Sequence, residues 1–234
     1  MNDKNYQIKN FYVVEGIDGS GKTTFCHGLK ALIEKSGKNC IILNESDDPA
    51  YHDLIRSLLK ADMASPVSES YTFAAARANC VDHMRTFMKN HPDSIVIFDR
   101  YIPSSLVYQT EKVPVEEVKH INAYFPIPEV IFYLKLPIEV ALKRIEDRSE
   151  KTIEKFETKE LLEKWNKKYD EVLLRRSSDL SYIEDDEVAS PAIQGLEVVN
   201  LYHKPKDKPR IVTLDASKEP DEVLDEACNK YNIF

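Results

Sequence analysis

Five short apolar runs, separated by longer stretches with helical spacing, dominate the pattern of hydrophobic and polar positions along the chain. Each run is continuously apolar rather than alternating, which is typical of strands that are buried on both faces of a parallel sheet. The runs occupy residues 11–14, 40–43, 95–98, 130–134 and 211–214. The pattern therefore predicts a doubly wound α/β fold, with helices on both faces of the sheet.

Proline followed by acidic residues marks the start of several predicted helices, because proline suits the first helical turn and carboxylates suit the N-terminal end. These starts lie at Ser65-Pro66 (a long segment towards Lys89), at Pro114 with Glu116 and Glu117, at Pro137 with Glu139, and at Glu219-Pro220-Asp221-Glu222. Residues 178–209 break the pattern with prolines and an acidic run, and we interpret them as an insertion before the last strand. A hairpin arm, an oligomer contact and a disordered excursion remain open for that insertion.

A glycine-rich stretch directly follows the first apolar run. Residues 16–23 fit the pattern Gly-x-x-x-x-Gly-Lys-Thr, and apolar residues recur at helical spacing behind them. Such a loop turns backbone N–H groups inward around phosphate oxygens, above a helix N-terminus that favours anions. In this arrangement Lys22 reaches the β- and γ-phosphates, and the hydroxyl of Thr23 can hold Mg²⁺. We call residues 16–23 the phosphate loop.

The composition is that of a globular protein, and the length suits one large α/β domain. Of its 234 residues 42% are hydrophobic and 31% are charged, which is ordinary for a globular protein. The net charge of −8 argues against a broad nucleic-acid surface. The four cysteines are widely spaced and suggest reduced thiols rather than a zinc site. No apolar run reaches membrane-spanning length, so we expect a cytoplasmic protein that binds neither membrane nor nucleic acid.

Two further segments carry charge where a nucleotide would need it. The third apolar run closes on Asp99-Arg100-Tyr101, at the carboxyl edge of the sheet, where Asp99 either organises Mg²⁺ or caps the next turn. Residues 142–157 mix basic and acidic side chains, and Arg144 and Arg148 share one helix face. This segment is either a solvated charged helix or a lid that brings cations onto a transferring phosphate.

These motifs together resemble the thymidylate kinases over nearly the whole chain except the insertion. The matching pieces are the stretch from Glu15 to Thr24, residues 73–77, Asp99-Arg100-Tyr101 with Ser104-Ser105 and Tyr108-Gln109, and Pro128-Glu129-Val130 through the lid. The resemblance implies one P-loop kinase domain over residues 1–234, built as three layers around a five-stranded parallel sheet with a helical lid. It also implies transfer of the ATP γ-phosphate to dTMP, with Mg²⁺, by a helix-mediated homodimer.

The resemblance assigns candidate roles residue by residue. The residues expected to bind the phosphates of ATP are Gly16, Asp18, Gly19, Ser20, Gly21, Lys22, Thr23 and Thr24. Thr23 and Asp99 are expected to hold Mg²⁺. The dTMP site takes Asp18, Glu45, Phe73, Arg77, Arg100, Ser105, Tyr108 and Gln109. Arg56, on the helix after the second strand, is added as a candidate phosphate contact because the family's arginine is absent after that strand. Without the motif, core packing would be the favoured interpretation of Phe73 and Tyr108. The catalytic group is Lys22, Asp99, Arg100, Arg144, Arg148 and Lys155.

The chain departs from the family pattern in two places. After the second strand many members have Arg-Glu-Pro-Gly-Gly, whereas this chain has Asn44-Glu45-Ser46-Asp47-Asp48-Pro49 and keeps only the glutamate. Some members also carry a basic residue inside the phosphate loop, where this chain has Asp18-Gly19-Ser20. We therefore expect the catalytic cation to come from the lid.

Two alternative functions remain open from the sequence. A deoxynucleoside kinase shares the fold and the lid but needs a carboxylate base for its neutral hydroxyl acceptor, and Glu45 occupies a suitable position. A GTP-dependent switch would need Asn-Lys-x-Asp, and Asn166-Lys167-Lys168-Tyr169 fails at its last position.

Overall fold

The computed structural model describes residues 7–60, 65–148, 158–175 and 208–233. Most of the expected insertion at 178–209, and the part of the expected lid from 149 to 157, lie outside the described residues. Within the described residues the chain forms five strands and eight α-helices. None of those helices is both long enough and apolar enough to cross a membrane.

All five strands belong to one parallel sheet, in the order β2-β3-β1-β4-β5. The strands are β1 (Gln7–Glu15), β2 (Cys40–Leu43), β3 (Ile95–Asp99), β4 (Ile127–Lys135) and β5 (Arg210–Asp215). Each contains one of the predicted apolar runs, and the predicted α/β fold is confirmed. β1 and β4 are longer than predicted because both extend towards their N-terminal ends, where Asn10 forms an irregularity and its N–H donates to Glu129 at 2.6 Å.

The helices pack as two groups, α1 with α8, and α3, α4, α5 and α7 with one another, as expected when helices cover both faces of a parallel sheet. They are α1 (Lys22–Lys35), α2 (His52–Lys60), α3 (Pro66–Asn90), α4 (Ile102–Tyr108), α5 (Val115–Asn122), α6 (Ile138–Arg148), α7 (Lys159–Leu174) and α8 (Pro220–Tyr231). Short 3-10 turns lie at Glu45–Asp47 and Gln109–Glu111. The predicted helix starts are confirmed, and Glu219 and Glu222 form a capping box at α8.

The core lies between the sheet and the two helix groups. The central strands supply its most buried side chains, because each of their faces is covered. Phe11, Phe98 and Tyr101 meet edge to face, with ring centroids 5.0 to 5.2 Å apart. This aromatic group lies beneath the turn that follows β3, so the hydrophobic core supports the edge of the sheet where the candidate site lies.

Candidate active site

The phosphate loop joins β1 to α1 and wraps around its own lysine. Gly21 caps α1 in a left-handed conformation, and Lys22 is the first helical residue, only 7% exposed. The amine of Lys22 donates to the carbonyl oxygen of Ile17 at 2.9 Å and lies 3.9 Å from the carboxylate of Asp18. Burial is the largest cause that lowers the pKa of Lys22 to about 8, and the nearby charge of Arg100 adds to the shift.

The surroundings of Gly19 explain why position 19 of the phosphate loop carries no basic side chain. Its φ of +77° is a left-handed conformation, and a Cβ built on it would lie 2.5 Å from the carbonyl oxygen of Ala141 in α6. A backbone oxygen cannot move aside as a flexible side chain can. The loop is therefore packed directly against α6, and the residue at 19 has no room for any side chain.

Thr23, in the first turn of α1, contacts Asp99, the last residue of β3. The Thr23 hydroxyl donates to the carboxylate of Asp99 at 3.0 Å, and Asp99 is 6% exposed. Among the described residues no group of three or more His, Cys, Asp or Glu side chains is placed to hold a metal. Mg²⁺ does not require one, because it keeps several waters and takes one or two protein oxygens beside substrate phosphates. The Thr23–Asp99 pair fits such an ion.

Arg100 lies at the centre of the site, in a backbone conformation unusual for a side chain-bearing residue. Its φ is +75°, while its N–H donates to the carbonyl oxygen of Val14 at 3.0 Å. The sheet thereby imposes the left-handed turn that aims the side chain at the phosphate loop. The guanidinium donates to the carboxylate of Asp18 and to the carbonyl oxygen of Gly16 at 3.1 Å. Arg100 thus binds both ends of the first turn of the loop.

Hydroxyl groups complete the surroundings of Arg100. Nη1 also contacts the hydroxyls of Tyr108 at 3.2 Å, Tyr169 at 3.0 Å and Ser104 at 3.4 Å. Tyr169 comes from α7 and was missed by the sequence analysis. Its spacing of four from Trp165 indicates a core-facing position on the helix, and nothing in that pattern distinguishes a hydroxyl that serves an arginine.

A second arginine at the site, Arg77 of α3, is buried and contacts Ser105 of α4. It is 1% exposed, and its guanidinium forms a paired contact with Glu45, at 2.6 and 2.9 Å. It also donates to the side chains of Asn122 and, at 2.8 Å, Ser105. The rings of Tyr101 and Phe125 lie 5.2 and 5.6 Å from its central carbon. Burial raises the pKa of Glu45, and the charge of Arg77 opposes that shift.

The remaining expected dTMP residues lie around this network to differing extents. Phe73 is half-buried on α3, four residues before Arg77, and Gln109 is buried in the 3-10 turn after α4. Arg56 is exposed on α2.

Two of the residues expected to bind the ATP phosphates differ in exposure. Thr24 is exposed in the first turn of α1. Ser20 is buried, and its hydroxyl has no hydrogen-bond partner among the described residues.

Of the three expected lid cations, only Arg144 has a described side chain. It is half-buried on α6 and donates to the carbonyl oxygens of Ala216 at 2.7 Å and Lys218 at 3.3 Å. Its Nη1 lies 3.9 Å from the place that a Cβ at Gly21 would take. Arg148 ends α6, but its side chain is outside the described residues, as is all of Lys155.

Comparison with known proteins decides the family. Residues 14–185 match the family model described as thymidylate kinase, which is well over half of the chain. The chain belongs to the thymidylate kinase family. It is therefore a phosphotransferase, and the deoxynucleoside kinase alternative is not favoured.

Individual relatives of this thymidylate kinase family member agree. A probable thymidylate kinase of Methanococcus aeolicus is 37% identical over 170 residues, which cover 72% of this chain and 82% of the relative. Probable thymidylate kinase 1 of Saccharolobus solfataricus is 36% identical over 141 residues, covering 60% of this chain and 72% of the relative. A probable thymidylate kinase of Methanosphaera stadtmanae is 35% identical over 164 residues, covering 68% and 81%.

The structure also bears on the two alternatives raised by the sequence. Both oxygens of Glu45 accept hydrogen bonds from Arg77, so this carboxylate is occupied rather than poised as a general base. Residues 166–169 lie in the middle of α7, not in a loop after a strand. The thymidylate kinase assignment therefore accounts for both segments without a second function.

The packing of Gly19 against α6 gives a stability prediction with its own control. Gly37 has a similar φ of +88°, but a Cβ added there would have no described atom within 4 Å. Gly37→Ala should cost only the left-handed conformation, about 1–2 kcal/mol. Gly19→Ala adds a clash with backbone, which should bring its cost to about 3 kcal/mol or more. Urea unfolding of both variants measures the difference, and equal losses would contradict the contact.

The lowered pKa of Lys22 gives a pH prediction. Only the charged amine attracts phosphate, so nucleotide affinity should be constant below about pH 8. Above it, binding must return a proton to Lys22, and ADP affinity should fall by roughly tenfold per pH unit. Cys40 and Tyr108 have pKa values raised to about 12 and stay silent in this range. Calorimetry with ADP from pH 7 to 10 is the measurement, and Lys22→Met should bind weakly with no such slope.

Proposed function

We propose that this chain transfers the γ-phosphate of ATP to the phosphate of dTMP, giving ADP and dTDP. Besides the family membership, one observation carries the proposal. A single guanidinium, that of Arg100, contacts the phosphate loop at Gly16 and Asp18 and also the Tyr108 side of the candidate acceptor pocket. A cation shared by donor and acceptor sites is what alignment of two phosphates needs.

The chemistry needs no general base in this proposal. The acceptor phosphate has a second pKa near 6 and is mostly dianionic at pH 7. The difficulty is to bring this anion against the γ-phosphate of ATP, so the protein supplies position and positive charge. Lys22 and the loop N–H groups bind the donor, Arg100 binds the acceptor phosphate, and Asp18 holds Arg100 in place.

Thr23 and Asp99 are the residues that would hold Mg²⁺. Both offer oxygen atoms, and their contact at 3.0 Å lies beside the phosphate loop. When bound, the ion supplies positive charge to the phosphate oxygens between which transfer occurs. The buried carboxylate of Asp99 orients the Thr23 hydroxyl, since an ionised carboxylate can only accept its proton.

Arg77 is proposed to form one wall of the base pocket. A guanidinium has five N–H groups. Among the described residues, Glu45, Asn122 and Ser105 take four of them, which leaves one on Nη1 for a base carbonyl. Because Glu45 and the flanking rings fix its plane, Arg77 presents that donor in one orientation. Phe73, four residues earlier on α3, is proposed to stack on the base.

Arg144 is proposed as the lid cation nearest to the donor phosphates. Its attachment to the carbonyl oxygens of Ala216 and Lys218 ties α6 to the loop between β5 and α8. Arg148 and Lys155 remain candidates for the same role. The limits of the single kinase domain (1–234), of the lid (142–157) and of the insertion (178–209) stay predictions. The expected cytoplasmic location also stays a prediction.

A homodimer is proposed through the paired helices α2 and α3. These helices carry four of the large apolar side chains that are exposed, Leu54, Leu59, Val67 and Tyr71, with 40 to 52% of each accessible. Covering such side chains is favourable in water. Val67→Asp should shift the equilibrium from dimer to monomer in sedimentation experiments. A wild type that sediments as a monomer would refute the proposal.

Acceptor choice and the role of Arg100 can be tested together. Wild-type protein with ATP and Mg²⁺ should phosphorylate dTMP and leave thymidine unchanged, and preference for thymidine would overturn the proposed function. Arg100→Ala should lower kcat/KM for dTMP by roughly 10²–10³, the usual effect of removing a donor aimed at developing charge. Arg85→Ala, which removes an exposed arginine on α3, is the matched control and should have near-normal activity.

A further inference from the structure

Glu15, the last residue of β1, is a fully buried carboxylate that none of the roles above uses. Its Oε1 accepts from the backbone N–H of Tyr101 at 2.8 Å and of Ser104 at 3.3 Å. Its Oε2 accepts from the hydroxyls of Ser104 at 2.7 Å and Tyr169 at 3.1 Å. The side chain thus joins β1 to the turn after β3, to α4 and to α7.

The two hydroxyls that contact Glu15 are also in contact with Arg100. Nη1 of Arg100 lies 3.0 Å from the Tyr169 oxygen and 3.4 Å from the Ser104 oxygen, and those two oxygens are 2.9 Å apart. Glu15 therefore hydrogen-bonds to the two hydroxyls that contact Nη1 of Arg100. Asp18 of the phosphate loop contacts the other terminal nitrogen, Nη2.

The direction of these hydrogen bonds follows from what each group can do. A carboxylate only accepts and a guanidinium only donates, while each hydroxyl has a single proton. The Ser104 proton points to Oε2 of Glu15 or to the Tyr169 oxygen, and the Tyr169 proton points to Oε2, to the Ser104 oxygen or to the hydroxyl of Tyr108. In every case neither proton points at Arg100, and the Tyr169 oxygen presents lone pairs to the guanidinium.

We propose that Glu15 is a positioning residue for Arg100, which sets the proton direction of Ser104 and Tyr169 and so fixes the guanidinium for the acceptor phosphate. The proposal rests on the proposed function only for the identity of the acceptor. Glu15 touches no substrate in it and acts through the two hydroxyls.

The donors around Glu15 favour the ionised carboxylate, whereas its burial, the largest influence on its pKa, opposes ionisation. Four N–H and O–H groups converge on its two oxygens. Burial raises the pKa of Glu15, while Arg100, Ser104, Tyr101 and Lys22 oppose that shift. Removing a carboxylate from water costs free energy, and here four hydrogen-bond donors offset part of that cost. A network of this kind fixes one arrangement of the neighbouring groups.

Glu15→Gln changes the direction of the hydrogen bonds to Ser104 and Tyr169 and keeps the size of the side chain. Glutamine has nearly the same size, but its amide NH₂ would donate to Ser104 and Tyr169 and turn a hydroxyl proton towards Arg100. We expect the affinity for dTMP, measured by calorimetry without donor, to fall at least tenfold, while ADP affinity changes less than twofold. A merely structural role would weaken both ligands alike and lower the melting temperature in parallel.

A second variant and a double-mutant cycle keep the test independent of folding. Tyr169→Phe removes the misdirected proton, so Glu15→Gln/Tyr169→Phe should bind dTMP no more weakly than Glu15→Gln alone. Tyr133→Phe is the matched control, because its hydroxyl donates to Asp170 at 3.0 Å while its ring stacks on Tyr169 at 5.9 Å. This control should bind dTMP as the wild type does.

The outcomes separate this inference from the proposed function. If the wild type binds and phosphorylates no dTMP, the proposed function fails, and with it the inference that Glu15 serves a dTMP phosphate. If the wild type is active but Glu15→Gln binds dTMP normally, only the inference is overturned. Additive losses in the double variant would overturn it as well, because independent effects mean that Glu15 does not act through Tyr169.

Discussion

The parallel pairing of β1 with β3 is the constraint on which the site depends. In this register Val14 lies opposite Asp99, so the two strands end side by side. The phosphate loop therefore leaves β1 at the level where β3 ends with Asp99 and the chain continues to Arg100. Arg100 continues the pairing with its own N–H, which donates to Val14, and its left-handed turn follows from that bond. A slip of one residue would reverse every side chain in the strand.

Buried charge is the second organising feature, and it serves orientation more than stability. The ion pair of Glu45 with Arg77 and the carboxylate of Glu15 are removed from water, and that desolvation costs free energy. Both sets are compensated by hydrogen bonds from neighbouring side chains and backbone, such as Asn122 at Arg77. Fully satisfied networks of this kind have one good arrangement, which suits a site that must align two anions.

The segment after β2 is held by hydrogen bonds between its own side chains and backbone, and by one to α3. Asn44 caps the 3-10 turn by accepting from the N–H of Ser46 at 2.8 Å. Asp48 accepts from the N–H of Ala50 at 2.9 Å and from Asn79 at 2.7 Å. These local bonds fix the turn after β2, and the turn delivers Glu45 to the guanidinium of Arg77.

The amino-acid sequence was enough to predict the sheet, most helix starts, the phosphate loop and the family. The spacing of apolar residues and the positions of proline and glycine determine local backbone structure over a few neighbouring residues, so they can be interpreted without the fold. It also placed Asp99 and Arg100 at the sheet edge. It did not reveal the roles of Tyr169 and Glu15, since a buried tyrosine and a strand-end glutamate have no local signature. These two residues meet across a chain separation of 154 residues. Nor did the sequence explain why position 19 is glycine, which only the approach of Ala141 decided. Contacts between distant segments depend on how helices pack on the sheet, and that is a property of the tertiary structure alone.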